Sequence, residues 1–320
     1  MRARIVSSRQ LVYDGEQASM SDRPRHVRTG SGLAWTGEHM VVIQDDADYI
    51  GVIKEAGGVV ALPLRGSTGA RHGKPGAAHL NLEAVLSAKD WRGEFLLAFG
   101  SGNAPDRRCV ARVRLGSGDT ELSVFETHKL YEAMKAAGNL SSGAGPDVQG
   151  VALVTKGIDG RDAVRLFHHG SGSSTDEKRN YDGTADLRLD SLLAYLDRCK
   201  RDPEAFLGFD LVSPRHYDLD DYEGSPFHFT DAAPIPSEPG RIGFTALAQL
   251  TPEAPIAAVA FGIIEPDGRA RYTIVVERDG QLARRRVEGL ALSSRTTGYL
   301  VVEAESDEPA SLATIEISGL

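Results

Sequence analysis

Cysteine is almost absent: 320 residues contain only Cys109 and Cys199, far apart in the chain. Two distant cysteines build neither a disulfide framework nor a thiolate zinc site, so both read as small buried apolar side chains. No apolar run approaches the roughly 18 residues that a membrane-crossing helix needs. Residues 1–20 alternate charged and apolar groups without the apolar centre of a secretion signal, so the cytoplasm is the expected compartment and no membrane is expected as a partner. Positive charge is also in short supply, with 36 Lys and Arg against 45 Asp and Glu and a formal net charge of -9. That balance excludes binding to a phosphate backbone, and hence to nucleic acid, as the main role. The one basic run, Arg284-Arg285-Arg286, reads as a solvated strand edge, with contact to an acidic ligand as the alternative. There is no Gly-x-Ser-x-Gly nucleophile elbow. Gly66 to Lys74 fails as a phosphate loop because its spacing is wrong and Pro75 stands where Ser or Thr is required.

What the chain does have is repetition. A short segment of small or acidic residues followed by an apolar run recurs five times: Ser31 to Trp35, Asn81 to Leu86, Val148 to Leu153, Thr230 to Ala233 and Val287 to Leu292. Each copy is followed by a turn and a second strand-like run, such as Met40 to Ile43 or Phe95 to Ala98, and several by a third. Short strands separated by turns, in a unit that recurs at this interval, predict an all-β fold: a single β-propeller spanning 1–320, of about five blades, with six as the alternative. Leu130, Met134 and Ala137 fall on one helical face, as do Leu192, Leu193, Leu196 and Cys199. These spacings predict two short inserted helices, over 128–138 and 190–201, in matching positions of successive units. Residues 1–15 are expected to supply a strand that completes the last blade, removing a pair of open sheet edges. Ser213 to Gly240, with its prolines and its Asp and Tyr cluster, reads as a long loop whose acids are solvated.

If the repeated segments are innermost strands, one position in each looks into a common channel. Aligning the copies places Gly32, Glu83, Gln149, Asp231 and Glu288 there. Buried carboxylates must be paired, hydrated or bound to a cation. A ring of them suits a hard ion such as Ca²⁺, so Glu83, Gln149, Asp231 and Glu288 are the candidate metal ligands, against the plainer reading that they cap backbone N–H groups around channel water. The ends of the second strands should converge on one mouth, carrying Asp45, Ser101, Asn103, Arg107, His169 and Ser171 as candidate ligand contacts, with Gln249, Glu303 and Glu305 beside them. Ordinary turn chemistry is the competing reading for the Gly-Ser-Gly segments.

The run Asn81-Leu82-Glu83-Ala84, the Gly100-Ser101-Gly102-Asn103 turn with Arg107-Arg108, Phe229 to Ala233 and Val287 to Ala291 together resemble an uncharacterised group of bacterial propeller proteins over about residues 28–320. More distantly the chain is similar to phytase-like and esterase-like propellers, whose inner strands carry a Glu-Gly-Leu/Ile-Ala signature. Those relatives imply Ca²⁺ in the channel and phosphoester hydrolysis at its mouth. Glu83 and Glu288 match the signature acid and Asp231 could substitute, whereas Gln149 gives up a charge and Gly32 has no side chain. Lys74, Arg107 and Arg179 are few bases for a phosphate-rich substrate. The leading expectation is therefore a small polar molecule or Ca²⁺ bound at one channel mouth. A metal-assisted hydrolase of phosphoesters or lactones and a protein-interaction scaffold are the alternatives. The oligomeric state is not legible.

Overall fold

A computed structural model describes residues 1–14, 25–47, 49–55, 57–64, 80–116, 120–137, 140, 145–170, 181–202, 204, 208–251, 254–304 and 308–320. The chain is all-β, with only two short α-helices among the described residues. Apart from a two-residue strand at Asp221–Tyr222, its strands fall into five groups of four. The first comprises β2 (Gly30–Thr36), β3 (His39–Gln44), β4 (Tyr49–Ile53) and β5 (Val59–Pro63). The second comprises β6 (Leu82–Asp90), β7 (Gly93–Gly100), β8 (Cys109–Leu115) and β9 (Thr120–Glu126). The third comprises β10 (Val148–Ile158), β11 (Arg161–His168), β12 (Asp182–Arg188) and β13 (Val212–Tyr217).

The last two groups share one nine-stranded sheet. It runs β14 (Asp221–Tyr222), β15 (Ser225–Pro234), β16 (Ile242–Ala248), β17 (Ala258–Ile264), β18 (Ala270–Val276), β1 (Arg2–Gln10), β21 (Ser311–Ser318), β20 (Thr297–Val302) and β19 (Val287–Leu292). The seam between them is slight. β1 pairs antiparallel with β21 along its length, from Arg2 opposite Ser318 to Gln10 opposite Ser311, but meets β18 in parallel only at Ala3–Val275 and Arg4–Val276. The N-terminal strand is thus the fourth strand of the C-terminal group.

Apolar packing explains why the five groups stay together. Each of five buried clusters lies between two successive groups: the first and second (Ile43, Leu82, Leu96), the second and third (Phe99, Val151, Leu166), the third and fourth (Phe167, Phe229, Phe244), the fourth and fifth (Phe261, Leu290, Ile315), and the fifth and first (Leu33, Val42, Val301). The first strands touch in the same cyclic order: β2 with β6, β6 with β10, β10 with β15, β15 with β19, and β19 with β2. Inner strands with a sheet on either side are apolar at successive positions rather than alternating. β16 and β17 are buried at every residue, whereas the outer strand β18 is half-exposed.

The two helices are α1 (His128–Ala136) and α2 (Leu189–Cys199). Both press their apolar faces, Leu130, Tyr131 and Met134 on one and Leu192, Tyr195, Leu196 and Cys199 on the other, into the cluster between the second and third groups. They are not in matching positions. α1 follows the fourth strand of its group, whereas α2 connects the third strand of its group to the fourth. A 3.6-residue apolar period reports a buried helical face but not where in a repeat the helix enters. Cys109 and Cys199 are buried free thiols. Ser213 to Gly240 is not a loop: most of it is β13, β14 and β15, and Phe227 and Phe229 bury an apolar face that the surrounding prolines and acids obscure in the sequence. The acidic tip, Asp218 to Glu223, forms exposed turns around β14, with only Leu219 buried among its side chains. No helix among the described residues is long and apolar enough to cross a membrane.

Candidate functional site

Each first strand carries one extra residue at its start. The ladder between first and second strands skips a residue between Gly30 and Gly32, Leu82 and Ala84, Val148 and Gly150, Phe229 and Asp231, and Val287 and Gly289. A β-bulge frees one residue from the ladder and re-aims its side chain. The five freed residues are Ser31, Glu83, Gln149, Thr230 and Glu288. Four of them, all but Thr230, line one cavity of about 450 Å³, together with Thr29, Gly30, Asp45, Arg286 and Glu303.

The residue after each bulge is Gly32, Ala84, Gly150, Asp231 or Gly289, and at Gly150 and Gly289 the backbone of the next first strand lies close by. A Cβ on Gly150 would stand 3.0 Å from Ala232 N, and one on Gly289 would stand 3.1 Å from the Gly32 backbone. Size at this level therefore sets how closely the strands can converge. Two of the sequence-aligned channel positions, Gly32 and Asp231, belong to this level rather than to the cavity.

Asp231 is consequently corrected from metal ligand to structural acid. It is fully buried, with 0% exposure. Its Oδ1 accepts from Ala232 N at 2.7 Å and its Oδ2 from Leu290 N at 2.7 Å, and a third backbone bond comes from Leu33. One carboxyl thereby ties together β15, β19 and β2. Burial pushes it well above the usual carboxylate range, against the pull of these N–H groups.

The cavity acids have fewer partners. Glu83 is raised well above the ordinary range by burial and by the charges of Asp45, Glu288 and Asp147, with one side-chain hydrogen bond to Asn81 in opposition. Burial, then Glu303 and Asp45, push Glu288 up to about 8, against Arg286. Burial and Asp45 raise Glu303, while burial and Asp46 raise Asp45, which Thr29 and Arg107 oppose. Among the described residues, Asp45 Oδ1 is buried without a hydrogen-bond partner. Among the described residues, Arg286 is the single base lining the cavity, 3.5 Å from both Glu288 Oε1 and Glu303 Oε2. Its place there replaces the solvated-edge reading of the Arg run, in which Arg285 pairs instead with Glu277 at 2.6 Å.

The remaining mouth candidates divide. Asp45, Ser101, His169, Gln249 and Glu303 each follow the last residue of a second strand. Of these, Asp45 and Glu303 line the cavity. Gln249 Oε1 accepts from Arg286 at 3.3 Å. Ser101 does not reach the cavity: it is buried, donating from Oγ to Asn81 Oδ1 at 2.6 Å, so the Gly-Ser-Gly segment here is turn chemistry. Asn103 is exposed and accepts from Arg107 Nη1 at 3.3 Å, and neither lines the cavity. Ser171, Glu305, Lys74 and Arg179 lie outside the described residues.

His169 stacks on His228 with ring centroids 4.6 Å apart, beside the cavity lining rather than in it. His228 Nδ1 meets Asp182 Oδ1 at 2.8 Å, and Asp182 also accepts from the backbone of Gly170 at 2.8 Å and Phe229 at 2.5 Å. Burial, the largest influence, pushes His169 below its ordinary value. Gln149 Nε2 donates to Asp147 Oδ1 at 3.1 Å, linking this polar group to the cavity.

Among the described residues, no three His, Cys, Asp or Glu side chains come together to hold a metal ion. Of the four candidate calcium ligands, Glu83, Gln149 and Glu288 line the cavity, whereas both carboxyl oxygens of Asp231 accept from backbone N–H groups. The exposed large apolar side chains, Val12, Trp91, Tyr181 and Leu250, lie at four different sheets rather than in one patch. Sequence reasoning missed Ser31 and Thr29, and read Arg286 as part of a solvated strand edge with contact to an acidic ligand only as the alternative. Small hydroxyl residues before an apolar run leave no signal, and the strand edge concealed the arginine.

A model of a family of unknown function, DUF6929, matches residues 26–317. No curated protein matches the chain. Solved structures of similar shape include a catalytically inactive virginiamycin B lyase from Staphylococcus aureus (9% identity, TM-score 0.40, covering 98% of this chain and 99% of that one). A gluconolactonase from Xanthomonas campestris is 12% identical, with TM-score 0.40 and coverage of 99% and 98%. A GDP-Man-dependent mannosyltransferase from Leishmania mexicana is 12% identical, with TM-score 0.44 and coverage of 98% and 90%. Likeness at this level carries no argument about what the chain binds or does.

Proposed function

The chain belongs to this family of unknown function, DUF6929, and on that premise we propose that it is a single five-bladed β-propeller that binds a small polar ligand at one end of its axis. Support for the architecture comes from five apolar interfaces that run in cyclic order and from an N-terminal strand that completes the C-terminal group. The observation that carries the function is the convergence of bulge residues from four sheets on one cavity of about 450 Å³. That volume falls within the range of small-molecule sites. Four separate strands delivering Ser31, Glu83, Gln149 and Glu288 to one place is a preorganised arrangement, because each strand is fixed by its own ladder.

The polar lining selects for a ligand that exchanges hydrogen bonds rather than one that buries apolar surface. Ser31 Oγ is already engaged with Leu82 O at 2.5 Å. The adaptable contacts are therefore Glu83, Glu288, Glu303, Asp45 and the guanidinium of Arg286. A thermal-shift screen with small polyols, sugars, amines, carboxylic acids and Ca²⁺ tests the reading. At least one probe raises the melting temperature of the wild-type chain, and the shift disappears in Gln149→Leu and Glu83→Leu. No shift from any probe class would remove the proposal.

A further inference from the structure

We propose that the ligand of the axial cavity is a small organic cation carrying amine or guanidine N–H groups at more than one point, such as a diamine. This rests on the reading of the cavity as a ligand site and specifies the chemistry that site recognises.

The first ground is charge. Among the described residues, Asp45, Glu83, Glu288 and Glu303 face the cavity and a single guanidinium, that of Arg286, lines it with them. Carboxyls removed from water require protons or cations. Among the described lining residues that arginine lies between Glu288 and Glu303, and Asp45 feels Arg107 only from outside the lining. The second ground is hydrogen bonding: Asp45 Oδ1 is a buried acceptor with no donor among the described residues. An occupant with N–H groups supplies what it lacks, since ammonium offers three donors and guanidinium five.

The third ground is spacing. No three acids among the described residues gather around a point, and the cavity of about 450 Å³ has room for an extended cation with charge or N–H groups at two ends. A neutral polyol would also fill the space and donate to single oxygens, but it would leave the mutual repulsion of the carboxyls untouched. The raised acids agree with this: each is held up by burial and by the others' charges, and an incoming cation would return them to the ionised form with release of protons.

Titration calorimetry of the full chain decides the matter, with putrescine and agmatine as the cationic probes, 1,4-butanediol as the uncharged counterpart of putrescine, and Ca²⁺ as the metal. The expected result is that a cationic probe binds at least tenfold more tightly than the diol. The affinity should fall at least tenfold in Glu83→Gln and in Glu288→Gln, with circular dichroism showing both variants folded. The binding heat should differ between buffers of different ionisation enthalpy because protons leave the site. If Glu83→Gln fails to fold, Glu303→Gln replaces it under the same expectation. Diol binding as tight as that of the amines, tighter binding of Ca²⁺, or amine binding unchanged by the substitutions would overturn the cation assignment while leaving a ligand site in place. Failure of every probe, together with a negative thermal-shift screen, would overturn the site as well.

Discussion

Asp231 and Glu83 hold adjacent register positions on two first strands, the first just after its bulge and the second at its bulge, and burial pushes both carboxyls upward. Their partners differ. Asp231 takes three backbone N–H groups from three strands and has no free face, whereas Glu83 faces a cavity across from other acids. The comparison teaches that burial alone does not distinguish a structural acid from a recognition acid. What distinguishes them is whether the protein itself satisfies the oxygens.

Substitutions at these two residues should therefore diverge, and the largest effect is expected at Asp231. Asp231→Ala leaves buried N–H donors on Ala232, Leu290 and Leu33 unpaired, and should cost about 3 kcal/mol or more in chemical denaturation. Glu83→Gln should change stability by no more than about 1 kcal/mol, because few bonds are lost. Equal losses would erase the distinction. Next comes the level at which the strands converge. Gly150→Val drives a side chain into the Asp231–Ala232 backbone and should cost about 1–3 kcal/mol, since backbone cannot yield as a flexible side-chain end does.

A third effect is read as a slope. Glu288 is held at about 8 in the folded chain, above its ordinary 4.5. Between those values the folded state binds a proton that the unfolded state has lost, so this group destabilises the fold progressively as pH rises from about 4.5 to about 8 and no further above that. His168 and His169, both lowered by burial, act oppositely in the acid part of this window. The informative quantity is thus the difference between wild type and Glu288→Gln: the advantage of the variant should grow from pH 5 to pH 8, and a flat difference would place the Glu288 carboxyl in an ordinary environment. The smallest effect is expected outside the cavity lining. Trp91, 93% exposed in the β6–β7 turn, can become Ser with a change within about 0.5 kcal/mol and no loss of ligand binding.

Much of the strand pattern was legible, because apolar runs bounded by turn residues recur and two helical faces keep a 3.6-residue period. Glu83, Gln149 and Glu288 were found because in their copies the polar residue at the bulge is followed by Gly or Ala and then an apolar run. The other two copies slipped by one. Gly32 and Asp231 were aligned to the cavity level, where Ser31 and Thr230 are the freed residues. A bulge adds a residue without altering composition, so a sequence alignment by polarity follows the carboxylate of Asp231 and passes over the hydroxyl of Thr230. The sequence offers Arg286 only as part of a basic run, a strand edge or a contact to an acidic ligand, because its place comes from Glu288 two residues on and Glu303 just past the paired strand, a relation that exists only once β19 and β20 are side by side.

The central claim is that the bulge residues of different sheets form one binding cavity. A crystal structure of the chain grown with the tightest-binding probe from the thermal-shift screen tests it most directly. The account predicts difference density enclosed by Glu83, Gln149, Glu288 and Asp45, with Asp231 unmoved on its three N–H donors. Density for the probe at any other place, with only ordered water between those four side chains, would contradict it.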